Sequence, residues 1–122
     1  EVIGIGFDLV DIDRFRRSLS RTPSLRDRLF RPAERAYADS HVDPASRYAV
    51  RFAAKEAALK ELGLGLGGMQ MYDIEVLRDG LGPAGLVLHG AAAEVAGAAG
   101  VQRWLVTMSH TSTLAQATVV AL

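Results

Sequence analysis

One long helix, predicted over residues 44–62, constrains the fold of this chain more than any other segment. Asp43 stands in the position of an N-terminal cap, Pro44 suits the first turn, and the apolar residues that follow repeat with helical spacing. Gly63 and Gly65 begin a glycine-rich stretch that ends the helix and lets backbone amides approach a ligand closely. Because such a helix has an apolar side, other elements must pack against it.

Glu56 falls on the apolar side of this helix, where a carboxylate is unexpected. At about 100° per residue it lies close to Phe52 and Leu59, and Lys60 follows one turn later on the same side. An exposed Glu56–Lys60 ion pair is the simplest explanation. A buried carboxylate costs roughly several kcal/mol without a strong partner, however, and a cation or a phosphate–metal complex would supply that partner.

An alternating pattern over residues 2–10 predicts a strand with two different faces. The faces are Ile3, Ile5, Phe7 and Leu9 on one side, and Gly4, Gly6 and Asp8 on the other. The glycines leave space beside Asp8, so this strand could admit a ligand closely. Two carboxylates from separate elements, a nearby lysine and a glycine-rich loop together resemble a magnesium–phosphate site. The loop is neither a P-loop nor a dinucleotide fingerprint.

The remaining patterns predict short elements. Asp11 could cap a helix over residues 12–19, and further helical pieces lie around Pro23 and Pro32. Beyond the long helix we predict strands over residues 73–79 and 86–89, a helix over 91–99, and a hairpin of strands 101–109 and 114–122. The order β-α-α-α-β-β-α-β-β indicates an α+β fold with an antiparallel sheet, in a single domain over residues 1–122.

Composition excludes several classes of function. The chain of 122 residues has no cysteine, so disulfides, thiolate metal sites and cysteine nucleophiles are excluded. Its 14 basic and 14 acidic side chains leave no net charge, which argues against a nucleic-acid partner. Neither a long apolar run nor a leader pattern stands out, so we expect no membrane span, no secretory signal and a cytoplasmic location.

Arginine is nevertheless concentrated in one part of the chain. Between residues 14 and 31, one acidic residue, Asp27, stands against seven arginines: Arg14, Arg16, Arg17, Arg21, Arg26, Arg28 and Arg31. A basic patch on a neutral chain favours an acidic partner at one face. A solvated helix face without a partner is the alternative.

Other charged residues are less informative. Arg51 and Lys55 form a second ridge of the long helix, and they are either a further phosphate contact or two solvated cations. His110, at the predicted hairpin turn, could donate to an anion or simply face solvent. His41 and His89 have no spacing typical of metal ligands, and we expect structural roles for both.

Taken together, these segments resemble the short bacterial holo-acyl-carrier-protein synthases, a class of 4'-phosphopantetheinyl transferases. The matching stretches follow the family order along nearly the whole chain: GIGFDLVDIDRF, LFRPAERAY, RFAAKEAALKELGLG, DIEV, GLGPAGLVLHG and WLVTMSHTSTLAQATVVAL. The resemblance implies that family's fold and the Mg²⁺-dependent transfer of 4'-phosphopantetheine from coenzyme A to a serine of apo-acyl carrier protein. It also implies release of adenosine 3',5'-bisphosphate and a place in fatty acid or polyketide biosynthesis.

The resemblance also assigns roles to individual residues. Asp8 and Glu56 would bind Mg²⁺, and Lys60 would contact the phosphates and the departing group. The expected contacts to the remainder of coenzyme A are Arg51, Gly63, Gly65, His110 and Thr111. The expected docking surface for the acidic carrier protein comprises Arg14, Arg17, Arg21 and Arg28. Family members of this length are typically homotrimers with sites between subunits, so His110 would serve a neighbour's site.

The sequence departs from the family pattern at two places, and it leaves two other functions open. Phe7 replaces the usual aliphatic residue, and the segment GGMQMY is rich in glycine and methionine, which could alter the pocket or fill core space. A metal-dependent phosphohydrolase would use the same carboxylates without a carrier protein, and a non-catalytic adaptor would use only the arginine patch. For the transfer, the general base stays open between Glu56, a metal-bound water and another carboxylate.

Overall fold

The computed structural model describes residues 1–63, 70–78 and 82–122. The strands in these ranges are β1 (Gly4–Asp11), β2 (Ile74–Arg78), β3 (Ala84–Leu88), β4 (Trp104–His110) and β5 (Leu114–Ala121). The helices are α1 (Ile12–Arg21), α2 (Leu25–Leu29), α3 (Pro32–Asp39), α4 (Pro44–Glu61) and α5 (Gly90–Ala98), and Met71–Asp73 forms a 3₁₀ turn. The predicted α+β class is confirmed. None of the helices in these ranges is long and apolar enough to span a membrane.

The described residues before the second strand form four α-helices, whereas the predicted order has three. The additional helix is α2, which has five residues and no side-chain cap. Five residues are too few to show a clear helical repeat in the sequence. A helix of this length is stable only because it packs against the rest of the fold. The sequence therefore indicated helical pieces near Pro23 and Pro32 without fixing their number.

The strands form two antiparallel sheets rather than the single sheet expected. One sheet has the order β1-β5-β4, and the other pairs β2 with β3. The predicted hairpin of β4 and β5 is present, with Trp104 opposite Ala121 and His110 opposite Ala115. All neighbouring strands run antiparallel.

Helix α4 packs on the glycine face of β1. A Cβ atom added to Gly6 would collide with the main-chain carbonyl of Ala57, and one added to Gly4 would collide with the Glu61 carboxylate. The space that the glycines leave is therefore filled by α4, so the expectation that it admits a ligand directly was wrong. This close approach fixes the position of the next inward residue of β1, Asp8, against the helix.

The opposite face of β1 is uncovered and apolar. Ile5, Phe7 and Leu9 are 66%, 52% and 55% exposed. Strand pairing continues this surface across the sheet, since Ile5 lies opposite Val120, which in turn lies opposite Leu105. The chain thus presents an apolar sheet face to its surroundings.

Aromatic side chains join α1 to α4 on the other side of the molecule. The ring centroids of Phe15 and Phe52 are 4.8 Å apart, and those of Phe30 and Tyr48 are also 4.8 Å apart. Phe15 contacts Phe30 edge-on at 6.5 Å. This cluster holds the arginine-rich helix beside the helix that carries Glu56.

The two predicted caps have different outcomes. The Asp11 carboxylate caps α1 by accepting a hydrogen bond from the Arg14 amide at 2.9 Å, as expected. Asp43 stands at the N-cap position of α4, but its carboxylate accepts hydrogen bonds from the Arg16 guanidinium instead of from the helix amides. The long-range ion pair has replaced the local cap.

Candidate active site

Asp8 and Lys60 meet where β1 touches the last turn of α4. Asp8 is buried on the inner face of the sheet, and Lys60 reaches it from an exposed position on the helix. The Lys60 ammonium donates to Asp8 Oδ1 at 2.7 Å and to the Phe7 carbonyl at 3.3 Å. This hydrogen bond to Asp8 raises the pKa of the Lys60 ammonium above its ordinary value.

Glu56 lies one turn before Lys60, beside Asp8. Burial, and then the negative charge of Asp8, raise the pKa of the Glu56 carboxyl above its ordinary value, while Lys60 opposes them. Among the described residues no side chain or amide donates a hydrogen bond to this carboxylate, and Lys60 is paired with Asp8 instead. The structure thus brings the three residues together, but not as an exposed Glu56–Lys60 pair.

An open cleft of about 680 Å³ extends from the two carboxylates. Its apolar walls are Leu9, Phe15, Leu25, Leu29, Phe52 and Leu114. Arg14, Ser18 and Asp11 supply polar groups at its edge. The cleft therefore runs from Asp8 and Glu56 to the arginine-rich helix α1, and it can hold an apolar chain between an anionic end and a basic surface.

Arg51 is buried, which excludes the alternative that it is a solvated cation. Its residue exposure is 2%, and its guanidinium lies 4.0 Å from the centre of the Tyr37 ring. Burial lowers the pKa of this guanidinium. The Nε atom of Arg51 is buried without a hydrogen-bond partner in the described structure, which leaves capacity to bind an anion.

Lys55 is fully buried, so it is neither a solvated cation nor free to hold a phosphate. Its ammonium donates to Glu34 Oε1 at 2.9 Å, to the Met71 carbonyl at 3.1 Å and to the Ile74 carbonyl. The second oxygen of Glu34 accepts from the Val76 amide at 3.0 Å. The sequence reasoning missed Glu34, because an acid in the first turn of a helix is common for reasons unrelated to ion pairing.

His110 and Thr111 lie at the far end of α4 from the carboxylates. They line a cavity of about 540 Å³ with His41, Arg47 and residues at the start of α4. From Arg47 of this cavity to Glu56 the helix rises about 14 Å, and neither His110 nor Thr111 lines the cleft of the carboxylates. Within one chain, therefore, His110 is not brought to the Asp8–Glu56 site.

The predicted arginine patch divides into exposed and internally paired residues. Arg16 pairs with Asp43, and Arg31 donates to the Tyr72 carbonyl at 2.8 Å. Arg26 lies over the Tyr48 ring at 5.5 Å from its centre. The four arginines expected to bind the carrier protein are all exposed: Arg14, Arg17, Arg21 and Arg28.

Two glycines and two histidines singled out by the sequence have simpler outcomes. Gly63 follows the end of α4 with a φ of +71°, a conformation that favours glycine. Gly65 falls within residues 64–69, outside the described residues. His41 Nδ1 donates to the Tyr37 carbonyl at 2.7 Å, and His89 contacts Glu75 at 2.9 Å, so both histidines have partners in the fold.

Comparison with known proteins decides the family. A family model described as "4'-phosphopantetheinyl transferase superfamily" matches residues 4–117. A holo-[acyl-carrier-protein] synthase of Clavibacter sepedonicus is 50% identical over 117 residues, which cover 96% of this chain and 92% of that protein. The chain belongs to the 4'-phosphopantetheinyl transferase superfamily. It is therefore a transferase enzyme.

Solved structures of similar proteins agree with the transferase fold. The holo-[acyl-carrier-protein] synthase of Neisseria meningitidis has a TM-score of 0.89 and 29% identity, with 100% of this chain and 99% of that chain covered. The Helicobacter pylori enzyme, solved in complex with coenzyme A, has a TM-score of 0.84 and 28% identity, with 97% and 99% covered. The fold of this phosphopantetheinyl transferase thus matches enzymes from distant bacteria over nearly the whole chain.

Proposed function

We propose that this chain is a holo-acyl-carrier-protein synthase. It transfers the 4'-phosphopantetheine group of coenzyme A to a serine of an apo-acyl carrier protein and releases adenosine 3',5'-bisphosphate. The observation that carries the proposal is the meeting of Asp8, Glu56 and Lys60 at one end of an open cleft. The relatives named above support the same reaction. A single domain over residues 1–122, a cytoplasmic location and a carrier protein of fatty acid or polyketide biosynthesis belong to this proposal.

The carboxylates of Asp8 and Glu56 fit a magnesium ion. Both offer the hard oxygen donors that Mg²⁺ prefers, and the effect of Asp8 on the pKa of Glu56 indicates that their negative charges act on each other. In the described ranges no group of three or more His, Asp or Glu side chains could hold a metal, so substrate phosphates and water would complete the coordination. When bound, Mg²⁺ neutralises charge on the phosphates during transfer.

The side chains around the cleft position the substrates. Lys60 is the cation that would contact the phosphate oxygens and the departing group, because its ammonium lies beside both carboxylates and is exposed. Arg51 lies outside the lining of this cleft, and its unpartnered Nε would reach a phosphate of the adenosine part only if the buried side chain moved. The apolar walls of the cleft suit the pantetheine arm, and they keep water away from its length.

The exposed arginines suit an acidic carrier protein. Arg14 lines the cleft itself, while Arg17, Arg21 and Arg28 are exposed nearby in sequence. A carrier protein docked on this surface would have to bring its serine up to the phosphates held at Asp8 and Glu56. Electrostatic attraction of this kind mainly accelerates and orients association.

We include a homotrimer with sites between subunits in the proposal. The uncovered face formed by Ile5, Phe7, Leu9 and Leu105 is apolar enough to favour contact with further copies of the chain. Within one chain His110 lines a cavity separate from the cleft of Asp8 and Glu56, and about 14 Å of helix lies between Arg47 in that cavity and Glu56. In the proposed assembly, a coenzyme A held at Glu56 would meet His110 of another copy.

Release of adenosine 3',5'-bisphosphate tests this function against coenzyme A hydrolysis. We expect release only when coenzyme A, Mg²⁺ and apo-carrier protein are all present, and we expect Asp8→Ala and Glu56→Ala to abolish it while folding normally. Glu94→Ala, which removes an exposed carboxylate of α5, is the matched control and should retain full activity. Equal release without carrier protein would favour a phosphohydrolase, and full activity of Asp8→Ala in saturating Mg²⁺ would refute the metal assignment.

A further inference from the structure

The ammonium of Lys60 occupies one oxygen of a carboxylate that the proposed function assigns to a metal ion. The distance from Lys60 Nζ to Asp8 Oδ1 is 2.7 Å, which is that of a strong, charge-assisted hydrogen bond. The two partners differ in exposure: 57% of the Lys60 side chain is exposed, against 11% of the Asp8 side chain. A solvent-facing cation thus covers a carboxylate that is largely removed from water.

The Asp8 carboxylate needs a positively charged partner even when no metal is bound. Its carboxylate lies on the inner face of the sheet against α4, and the carboxylate of Glu56 adds a second negative charge beside it. An unpaired charge in such surroundings is costly. Among the described residues, Lys60 is the cation that forms an ion pair with Asp8.

A divalent cation on Asp8 is incompatible with the position of Lys60 seen here. Both cations would claim the same carboxylate, and their like charges would repel at short range. Lys60 can yield, because its side chain is exposed and its second hydrogen bond, to the Phe7 carbonyl, is long at 3.3 Å. Asp8 cannot yield, because α4 fixes the strand at Gly6.

We propose that Lys60 serves as the counter-ion of Asp8 when no metal is bound, and that an incoming divalent cation displaces its ammonium towards the phosphates of coenzyme A. This inference rests on the proposed function, since it takes Asp8 as a metal ligand. It adds a competition between Lys60 and the metal. Free metal must displace Lys60, whereas metal that arrives with coenzyme A brings phosphates that accept the released ammonium.

The proposal makes metal and coenzyme A binding mutually supportive through Lys60. Lys60 weakens the binding of free metal but strengthens the binding of coenzyme A once the metal is present. By linkage, coenzyme A must then raise metal affinity by the same factor. Removal of the ammonium should therefore tighten free-metal binding and weaken the coupling at the same time, which a merely structural role would not produce.

Binding of Mn²⁺ alone, followed by electron paramagnetic resonance, tests the competition. We expect Lys60→Met to bind Mn²⁺ about 2- to 5-fold more tightly than the wild-type chain, the size of one exposed ion pair. Lys60→Arg keeps the charge and should bind Mn²⁺ as the wild-type chain does. Coenzyme A should raise Mn²⁺ affinity in the wild-type chain by a larger factor than in Lys60→Met.

The Mn²⁺ measurements distinguish failure of the proposed Lys60–metal competition from failure of the metal site. If Mn²⁺ binds Lys60→Met with the wild-type affinity, or more weakly, the competition is refuted while the metal site stands. If Mn²⁺ binds neither chain, with or without coenzyme A, the metal site of the proposed function fails and the competition fails with it.

Amine labelling of the unmodified chain provides a second measurement. The chain has two lysines, Lys55 and Lys60, and Lys55 is completely buried, so it is an internal reference that should not react. We expect Mn²⁺ to increase the rate at which Lys60 is acetylated, because its ammonium loses the bond to Asp8. Addition of coenzyme A should lower the rate again. An unchanged rate at a Mn²⁺ concentration that saturates the site would refute the displacement.

Discussion

At the scale of single residues, Glu56 is placed where its negative charge is unfavourable for stability but useful for binding a cation. The chain places its carboxylate beside Asp8 and partly out of water, although no described group donates a hydrogen bond to it. Lys60 compensates Asp8 through a direct hydrogen bond, so the remaining repulsion acts on Glu56. Such an arrangement is unfavourable for the metal-free fold, and it is what a cation site requires.

Replacement of Glu56 by glutamine should stabilise the metal-free protein at neutral pH. The pKa of the Glu56 carboxyl is raised in the folded state above its ordinary value of 4.5. The folded state therefore loses stability as the pH rises from 4.5 through the raised pKa, because Glu56 becomes charged there. Glu56→Gln avoids this loss. We expect a gain of up to about 1 kcal/mol, reduced by solvent screening, at pH 7.

The gain should shrink as pH falls and vanish below about 4.5, where Glu56 is protonated in both the folded and the unfolded states. Urea unfolding in the presence of a chelator, repeated between pH 4 and pH 8 (about the range in which a shifted carboxyl titrates), measures the difference. A variant that is less stable than the wild-type chain at pH 7, or a gain that does not depend on pH, would contradict this account of Glu56.

Helix α4 links the two sheets at the scale of elements. On one side its residue Ala57 meets Gly6 of β1, and on another side Lys55 binds main-chain carbonyls before and within β2. Glu34 completes this second contact by accepting from Val76, so one buried ion pair satisfies polar groups of α3, α4 and β2. Because Lys55 precedes Glu56 directly, this contact also fixes the rotation of the helix that presents Glu56.

Loss of Lys55 alone should therefore be more damaging than loss of the whole ion pair. Lys55→Met leaves Glu34 buried without its cation, and we expect a loss of about 3–5 kcal/mol in the free energy of unfolding. In Lys55→Met/Glu34→Gln no buried charge remains, so the double variant should recover part of that loss. Arg16→Met, which breaks the exposed pair with Asp43, is the matched control and should cost less than about 1 kcal/mol.

A double-mutant cycle gives the coupling energy between Lys55 and Glu34. It requires urea unfolding of the wild-type chain, Lys55→Met, Glu34→Gln and the double variant. Additive effects of the two single substitutions would show that Lys55 and Glu34 do not act as a pair. Equal losses for Lys55→Met and Arg16→Met would show that burial of the pair is unimportant.

The apolar sheet face governs the behaviour of the whole molecule. Its residues lie on the side of β1 that α4 does not cover, and the same surface continues through β5 to β4. An isolated chain would leave these side chains in water. Assembly of copies through this face would bury them and, in the proposed trimer, bring His110 to another chain's carboxylates.

A charge on this face should dissociate the assembly. We expect the wild-type chain to sediment as a trimer and Leu105→Glu to sediment as a folded monomer with reduced transfer activity, because a glutamate at 52% exposure becomes buried on assembly. Leu77→Glu, which alters an exposed leucine of β2 outside this face, should remain trimeric. A monomeric wild-type chain at concentrations where the enzyme is active would contradict the proposed assembly.

The sequence predicted local features of this molecule better than contacts between distant elements. Alternation around Asp8 and the helical position of Glu56 depend on a few neighbouring residues, so the sequence alone indicates both candidates. The ion pair of Lys55 with Glu34 and the packing of Ala57 on Gly6 join residues far apart in the chain, and no local pattern reports them. The glycines were noticed, but only tertiary structure shows that a helix fills the space beside them.

Mass spectrometry of an apo-acyl carrier protein after incubation with this chain, coenzyme A and Mg²⁺ tests the central claim most directly. We predict that the serine-containing peptide of the carrier gains the mass of one phosphopantetheine group. The gain should be absent when Asp8→Ala replaces the wild-type chain or when a chelator removes the metal. An unmodified carrier protein in the complete wild-type reaction, across carriers of fatty acid and polyketide synthesis, would contradict the proposed transfer.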